Sequence, residues 1–190
     1  PDGVIGQLTE AELFPAIMPG GRREVAKPQD EIGVPIVWPY EREVEKFYGP
    51  KGTSQTQMQL PYSMRLAWDL QSEITHISLH EAVAPSASRV FARIAKAYTA
   101  SERINIGLDL YGGSFNVRKK RGGTGWSVHS WGIAIDFDPQ RNMLKMHHDK
   151  ARLAEPDAAK FFSLWIDEGW VSLGKSRDYD YMHVQAARLG

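Results

Sequence analysis

The sequence predicts an α+β fold: a small, mostly antiparallel sheet with flanking helices. Three observations carry that expectation. About five short stretches alternate apolar and polar residues with the period of two that a strand imposes. Two longer stretches repeat apolar residues at helical spacing. Strands and helices do not alternate strictly along the chain, which favours antiparallel pairing over a wound parallel sheet. The chain has 190 residues, 42% of them hydrophobic, enough for one core with a short appendage.

Near the start, Thr9 with Glu12 fits a capping box ahead of Leu13 and Phe14, so a helix is expected there. Residues 20–56 are rich in proline, glycine and charge and read as a linker followed by an irregular arm. Trp38, Tyr40, Phe47 and Tyr48 are expected to anchor that arm onto the domain, which is placed at 57–190. Met58, Leu60, Met64, Leu66 and Trp68 occupy even positions of a strand, with Pro61 marking an edge or bend. A second strand covers Ile74 to His80. On it, His76 and His80 would sit roughly 13 Å apart, too far to share one ion. They are read as ordinary strand histidines, with His80 able to border a cleft.

Pro85 to Ser101 reads as a helix, with Ser86 or Ser88 as cap and Val90, Phe91, Ile94, Ala95 and Tyr98 at helical spacing. Ile104 to Tyr111 alternates as a strand that Gly112-Gly113 ends. Arg118 to Gly123 forms a basic, glycine-rich loop suited to clamp an anionic ligand or simply to face solvent. His147-His148 reads as a surface pair, with an adventitious second metal site as the lesser alternative. Pro156 to Glu168 is a helix whose buried stripe is Phe161, Phe162, Leu164 and Trp165, stopped by Gly169. Trp170 to Leu173 is a strand, Gly174 to Asp178 a turn, and the last strand carries His183.

The chemistry concentrates in the stretch from Trp126 to Pro139. Ile133, Ile135 and Phe137 share one parity, so Asp136 faces away from the core, beside Gly132 and Ala134, which leave space open. His129 lies just ahead of that strand. An imidazole and a carboxylate aimed at one small space form two thirds of a hydrolytic zinc site. Of the six histidines, His183 is the best third ligand. In Asp180-Tyr181-Met182-His183-Val184-Gln185, Tyr181, His183 and Gln185 share the face opposite Met182 and Val184. A regular strand would turn Asp180 away from His183, so its use in a site requires a turn or bulge.

Composition narrows the classes. Lysine plus arginine equal aspartate plus glutamate at 23 each, so no basic face for nucleic acid is expected. There are no cysteines, which excludes disulfides and thiolate metal sites. No apolar run approaches the length of a membrane span and no signal peptide is visible. The chain begins at Pro1, so a processed or trimmed product is expected.

Ser127-Val128-His129-Ser130-Trp131-Gly132-Ile133-Ala134-Ile135-Asp136, followed by Asp180-Tyr181-Met182-His183, resembles the M15 family of zinc D,D-carboxypeptidases and L-alanyl-D-glutamate peptidases. Tyr111 to Arg118 resembles the segment that supplies that family's active-site arginine. The likeness covers roughly residues 60–190 and implies the M15/hedgehog-like peptidase fold. Asp180 stands where some members have glutamate, and the aspartate form resembles phage endolysins. Val184 stands where members often carry an aromatic. Asp2-Gly3-Val4-Ile5-Gly6 with Thr9 resembles the end of a peptidoglycan-binding module, so residues 1–19 read as a remnant of one or as a plain helix.

With this resemblance the roles are assigned. His129, Asp136 and His183 hold one Zn2+, though manganese or another divalent ion suits the same set. Asp180 is the general acid/base and Arg118 the carbonyl-polarising donor, with Arg121 as fallback. Ser127, Trp131, Tyr181 and Arg121 are candidate substrate contacts; Trp126 is a further cleft residue. The expected activity is hydrolysis of a stem-peptide bond in bacterial peptidoglycan, first an L-Ala-D-Glu endopeptidase of endolysin type. A D,D-carboxypeptidase is the alternative, and a non-catalytic wall-binding domain the third reading. A monomer acting at the bacterial cell wall, phage-encoded or secreted, is expected.

Overall fold

The computed structural model describes residues 36–190. The readings of residues 1–19 and of the linker up to residue 35 lie outside the described residues. A six-stranded sheet runs in the order β2 (Asp69–His80), β1 (Gln55–Leu66), β3 (Leu110–Gly113), β4 (Ala134–Phe137), β6 (His183–Gln185) and β5 (Val171–Ser172). β1 and β2 form a long antiparallel hairpin, followed by β3 and β4. β5 and β6 complete the sheet, and only the short β1–β3 contact is parallel. The expected α+β class and mostly antiparallel sheet are therefore present. Among the described residues, no helix is long and apolar enough to cross a membrane.

The hairpin follows its alternation: Met58, Leu60, Met64, Ile77 and Leu79 are buried. Pro61 falls where the β1–β2 register shifts, between Gln59 and Met64, where a residue without an N–H breaks no ladder bond. His80 packs edge-on against Tyr48. Its Nδ1 accepts from the Ala82 N–H, so Nε2 donates to the Tyr48 carbonyl at 2.9 Å. His80 is thus a satisfied structural histidine, absent from the cavity lining described below.

The helical reading of residues 85–101 needs correction. The structure breaks it into α2 (Ala84–Ala97) and α3 (Ala100–Ile106). Thr99 Oγ1 accepts from the Glu102 N–H while the Glu102 carboxylate accepts from the Thr99 N–H, a capping box that restarts the helix. The strand expected at Ile104 accordingly begins only at Leu110. Neither Ser86 nor Ser88 caps α2, whose first turn instead carries Pro85. Ser86 Oγ donates to Glu168 and accepts from the Trp170 indole, tying α2 to the end of α4 (Ala159–Asp167). Gly174 to Asp178, expected as a turn, lies mostly in a short helix, α5 (Leu173–Arg177), capped by the Ser172 hydroxyl.

α2 and α4 cover one face of the sheet. Phe137 of β4 meets Phe91 at 5.9 Å and Phe161 at 5.0 Å between ring centroids, and Phe91 meets Trp165 edge-on at 5.7 Å. Ile133, Ile135 and Phe137 are all fully buried there. Burying such side chains contributes about 1.5–3 kcal/mol each. The arm is part of this packing. Trp38 meets Trp170 edge-on, and Val44 and Tyr48 of α1 (Val44–Tyr48) are buried. Phe47 is exposed, and the Tyr40 ring has the Arg42 and Arg188 guanidinium groups 4.4 and 3.9 Å from its centroid. With one face filled, the other parity of β4 and β6 is left for chemistry.

Candidate metal centre

Asp136 and His183 are direct partners across the antiparallel β4–β6 pair. Both therefore project from the same face, with side chains close enough to touch. His129 arrives from a 3-10 turn, Val128–Trp131, that ends at Gly132 in the left-handed region at φ +68°. A β-carbon on Gly132 would collide with Gln55 Oε1 and come within 3.0 Å of the His80 backbone nitrogen. Glycine thus permits the abrupt change from turn to strand that sets His129 over Asp136.

Three atoms converge. His129 Nε2 lies 3.2 Å from His183 Nδ1, His183 Nδ1 lies 2.9 Å from Asp136 Oδ1, and His129 Nε2 lies 3.3 Å from Asp136 Oδ1. Tetrahedral zinc with bonds of about 2.0–2.1 Å holds its donors roughly 3.3 Å apart. The triangle matches that spacing closely.

The surrounding hydrogen bonds decide which nitrogens carry protons. His129 Nδ1 faces the Ser114 carbonyl at 3.0 Å, a group that can only accept, so Nδ1 donates and Nε2 turns its lone pair inward. His183 Nε2 faces Gln185 Oε1 at 2.9 Å. The Gln185 amide nitrogen already donates to Glu41 Oε1 and to the Ala187 carbonyl, so its oxygen is the atom turned to His183. His183 Nε2 therefore donates and Nδ1 presents a lone pair. Two imidazole lone pairs and a carboxylate pointing at one spot repel unless a cation or extra protons lie between them. The donor set fits a divalent cation. His129, Asp136 and His183 are also the group of metal-ligating side chains found among the described residues.

Charge follows the same geometry. Burial alone would raise the Asp136 carboxyl, but His129 and His183 hold it well below the ordinary carboxylate range. Burial opposes protonation of His183, yet Asp136 and Asp180 raise its pKa above the usual imidazole value.

Asp180 stands beside the three donors on a left-handed residue, φ +56°. Its carbonyl accepts from the His183 N–H at 3.1 Å and its N–H donates to Leu144 at 3.2 Å, closing the turn that a regular strand lacked. Its Oδ1 is buried without a hydrogen-bond partner. Burial pushes the Asp180 carboxyl up to about 6, against the pull of His183, His129 and Arg118. An unpaired, buried carboxyl titrating near neutrality beside a metal-type donor set is suited to proton transfer.

These residues line a cavity of about 780 Å³ that also exposes Arg118, Arg121, Ser127 and Lys145. The Arg118 backbone is pinned to the His129 turn. Its N–H donates to Ser130 Oγ at 3.1 Å, and its carbonyl accepts from the Ser127 N–H and from Ser130 Oγ, each at 3.0 Å. Trp131 and Tyr181 are not on that wall. Trp131 borders a neighbouring cavity of about 530 Å³, its indole N–H donating to the Gly49 carbonyl. Tyr181 turns away to pack against Phe162, and its hydroxyl donates to Asp178. Trp126 lies under Lys119, 4.0 Å from its ring centroid, and also borders the second cavity. His147 lines the main cavity, while His148 pairs with Asp178 at 2.8 Å on the surface.

Residues 121–186 match the family model described as D-alanyl-D-alanine carboxypeptidase. The matched span holds His129, Asp136, Asp180 and His183, and it supports an M15-type peptidase. Arg118 lies just outside it, and so does the arm. No curated protein and no solved structure matches the chain.

Sequence reasoning did not single out Ser114, Ser130, Gln185 or Glu41 as parts of the site. Gln185 alone carried a signal, its shared parity with His183. Ser114 acts through its backbone carbonyl, Ser130 through a hydroxyl that holds the Arg118 backbone, and Glu41 from a distant segment.

Proposed function

We propose that the chain is a zinc-dependent peptidase that hydrolyses a bond in the stem peptide of bacterial peptidoglycan, at the cell wall. The observation that carries this reading is the convergence of His129, Asp136 and His183 beside the unpaired Asp180 carboxyl. A zinc ion held by the first three supplies Lewis acidity and lowers the pKa of water to about 7. Asp180, ionised at neutral pH with a pKa near 6, takes a proton from the attacking water and returns it to the departing nitrogen. Arg118 donates hydrogen bonds to the carbonyl oxygen as negative charge develops there. Losing such a donor typically costs about 2.7–4 kcal/mol in the transition state. Arg121 and Lys145 add positive charge to the same cavity and suit a substrate bearing carboxylates.

Cleavage between L-Ala and D-Glu is the first reading for the bond cut, supported by the endolysin-like aspartate at 180. Removal of terminal D-Ala is the second, favoured by the description of the matched family model. Asp180 and Arg118 on the cavity wall favour both over a non-catalytic wall-binding domain. Mass spectrometry of muropeptides digested with and without chelator tests all three. A fragment beginning at D-Glu supports the first reading, loss of one D-Ala the second, and binding without any product the third.

A further inference from the structure

We infer that Glu41 and Gln185 form a positioning relay that selects Nδ1 of His183 as its metal-binding nitrogen. The inference rests on the metal reading above. It concerns residues outside the ligand set, one of them on the arm.

The relay runs inward from the surface. Lys120 Nζ donates to Glu41 Oε2 at 2.6 Å, and Glu41 Oε1 accepts from Gln185 Nε2 at 2.9 Å. Gln185 Oε1 then accepts from His183 Nε2 at 2.9 Å. An amide can flip, and a flipped Gln185 would aim N–H groups at His183 Nε2. That would leave Nε2 as the acceptor and put the ring proton on Nδ1, where it blocks the metal. Two acceptors, Glu41 Oε1 and the Ala187 carbonyl, hold the amide nitrogen away from His183 and forbid the flip. Gln185 is buried, so its amide relies on these two partners. Glu41 is kept ionised, its pKa lowered despite burial by Lys120 and Gln185. It sits in the 3-10 turn Glu41–Glu43 ahead of α1, and its carboxylate reaches a residue 144 positions away in sequence. The arm thus completes the site from outside the matched span 121–186.

Histidine ligands depend on the partner of their second nitrogen, and losing that partner typically weakens metal binding about 10–100-fold. The test measures zinc affinity by chelator competition in wild type, Gln185→Leu, Glu41→Ala and Glu41→Gln. Gln185→Leu is expected to weaken binding about 10–100-fold. Glu41→Ala, which keeps the buried amide in place, should fall between Gln185→Leu and wild type. Glu41→Gln retains an acceptor oxygen and should stay within about threefold of wild type. NMR of the cadmium-loaded protein supplies a readout independent of affinity. Cadmium should couple to Nδ1 of His183, while Nε2 keeps a proton that exchanges slowly in wild type and faster in Glu41→Ala. Equal affinities across wild type, Gln185→Leu and Glu41→Ala would overturn the relay, as would cadmium coupling to Nε2 of His183. A wild-type protein that binds neither metal would instead overturn the metal reading itself.

Discussion

Asparagine at position 180 separates the fold's needs from those of catalysis. Asp180 is only 7% exposed, and burial holds its carboxyl near 6 rather than the usual 3.8. Each pKa unit is worth 1.36 kcal/mol, so ionised Asp180 costs the metal-free fold about 3 kcal/mol at neutral pH. The sign follows from the raised value. The native state binds the extra proton, so the cost is complete above about pH 6 and vanishes below about 4. Asp180→Asn removes the charge but brings N–H donors to a place where Oδ1 already lacks a partner. Unpaired buried donors cost about 1–3 kcal/mol, so the net gain at neutral pH should be about 0–2 kcal/mol. Denaturant unfolding of the metal-free wild type and variant at several pH values measures it. Relative to wild type the variant should gain about 3 kcal/mol between pH 4, where only the donor cost remains, and pH 7.5, and added zinc should shrink that gain by neutralising the wild-type carboxylate. Turnover should meanwhile drop about 10²–10⁴-fold, the usual contribution of a general base, with zinc retained. A stability difference between variant and wild type that stays the same from pH 4 to pH 7.5 would refute the burial argument. A variant that cleaves normally would refute the catalytic one.

Three further outcomes are expected. His183→Ala should lose zinc, and unchanged metal stoichiometry would remove His183 from the ligand set. Arg118→Ala should lower kcat about 10²–10³-fold with zinc affinity intact, read from steady-state kinetics beside chelator competition. Zinc affinity should weaken as pH falls through the raised pKa of His183, because proton and metal compete for Nδ1. Titration calorimetry from pH 8 down to 5.5 checks that, and a flat profile would contradict it.

Much of the site is legible because strand parity is a strong constraint. Ile133, Ile135 and Phe137 must enter the core together, and that alone turns Asp136 to the open face. Other parts depend on interactions that periodicity does not encode. At Ile104 and Ile106 alternation competes with the Thr99–Glu102 capping box, and the box prevails because it satisfies helix N–H groups locally. Tyr181 has the parity of His183, but β6 begins only at His183. The left-handed Asp180 starts a turn, so parity does not extend back to Tyr181, whose ring goes to Phe162. Gln185 has the correct parity too. Which end of its amide faces His183 is set by Glu41 on a distant segment, and no local pattern carries that information.

The ligand geometry and the pairing of β4 with β6 are one constraint. Ala134 pairs with Gln185, Ile135 with Val184 and Asp136 with His183. A slip of one residue would turn every side chain of β6 to the other face, burying His183 in the core and exposing Val184. Backbone hydrogen bonds thus hold two metal donors together, and a metal bound to both must hold the backbone in return. At a free zinc concentration 100 times the dissociation constant, that linkage amounts to about 2.7 kcal/mol. Hydrogen exchange should reveal where it acts. Zinc should increase protection most at the amides of β4 and β6, and less at the far β1–β2 hairpin, which contributes no ligand. Protection rising evenly over all strands would mean global unfolding governs exchange. Protection confined to the Val128–Trp131 turn would mean that His129 alone is being ordered and that β4 and β6 are held in register without the ion.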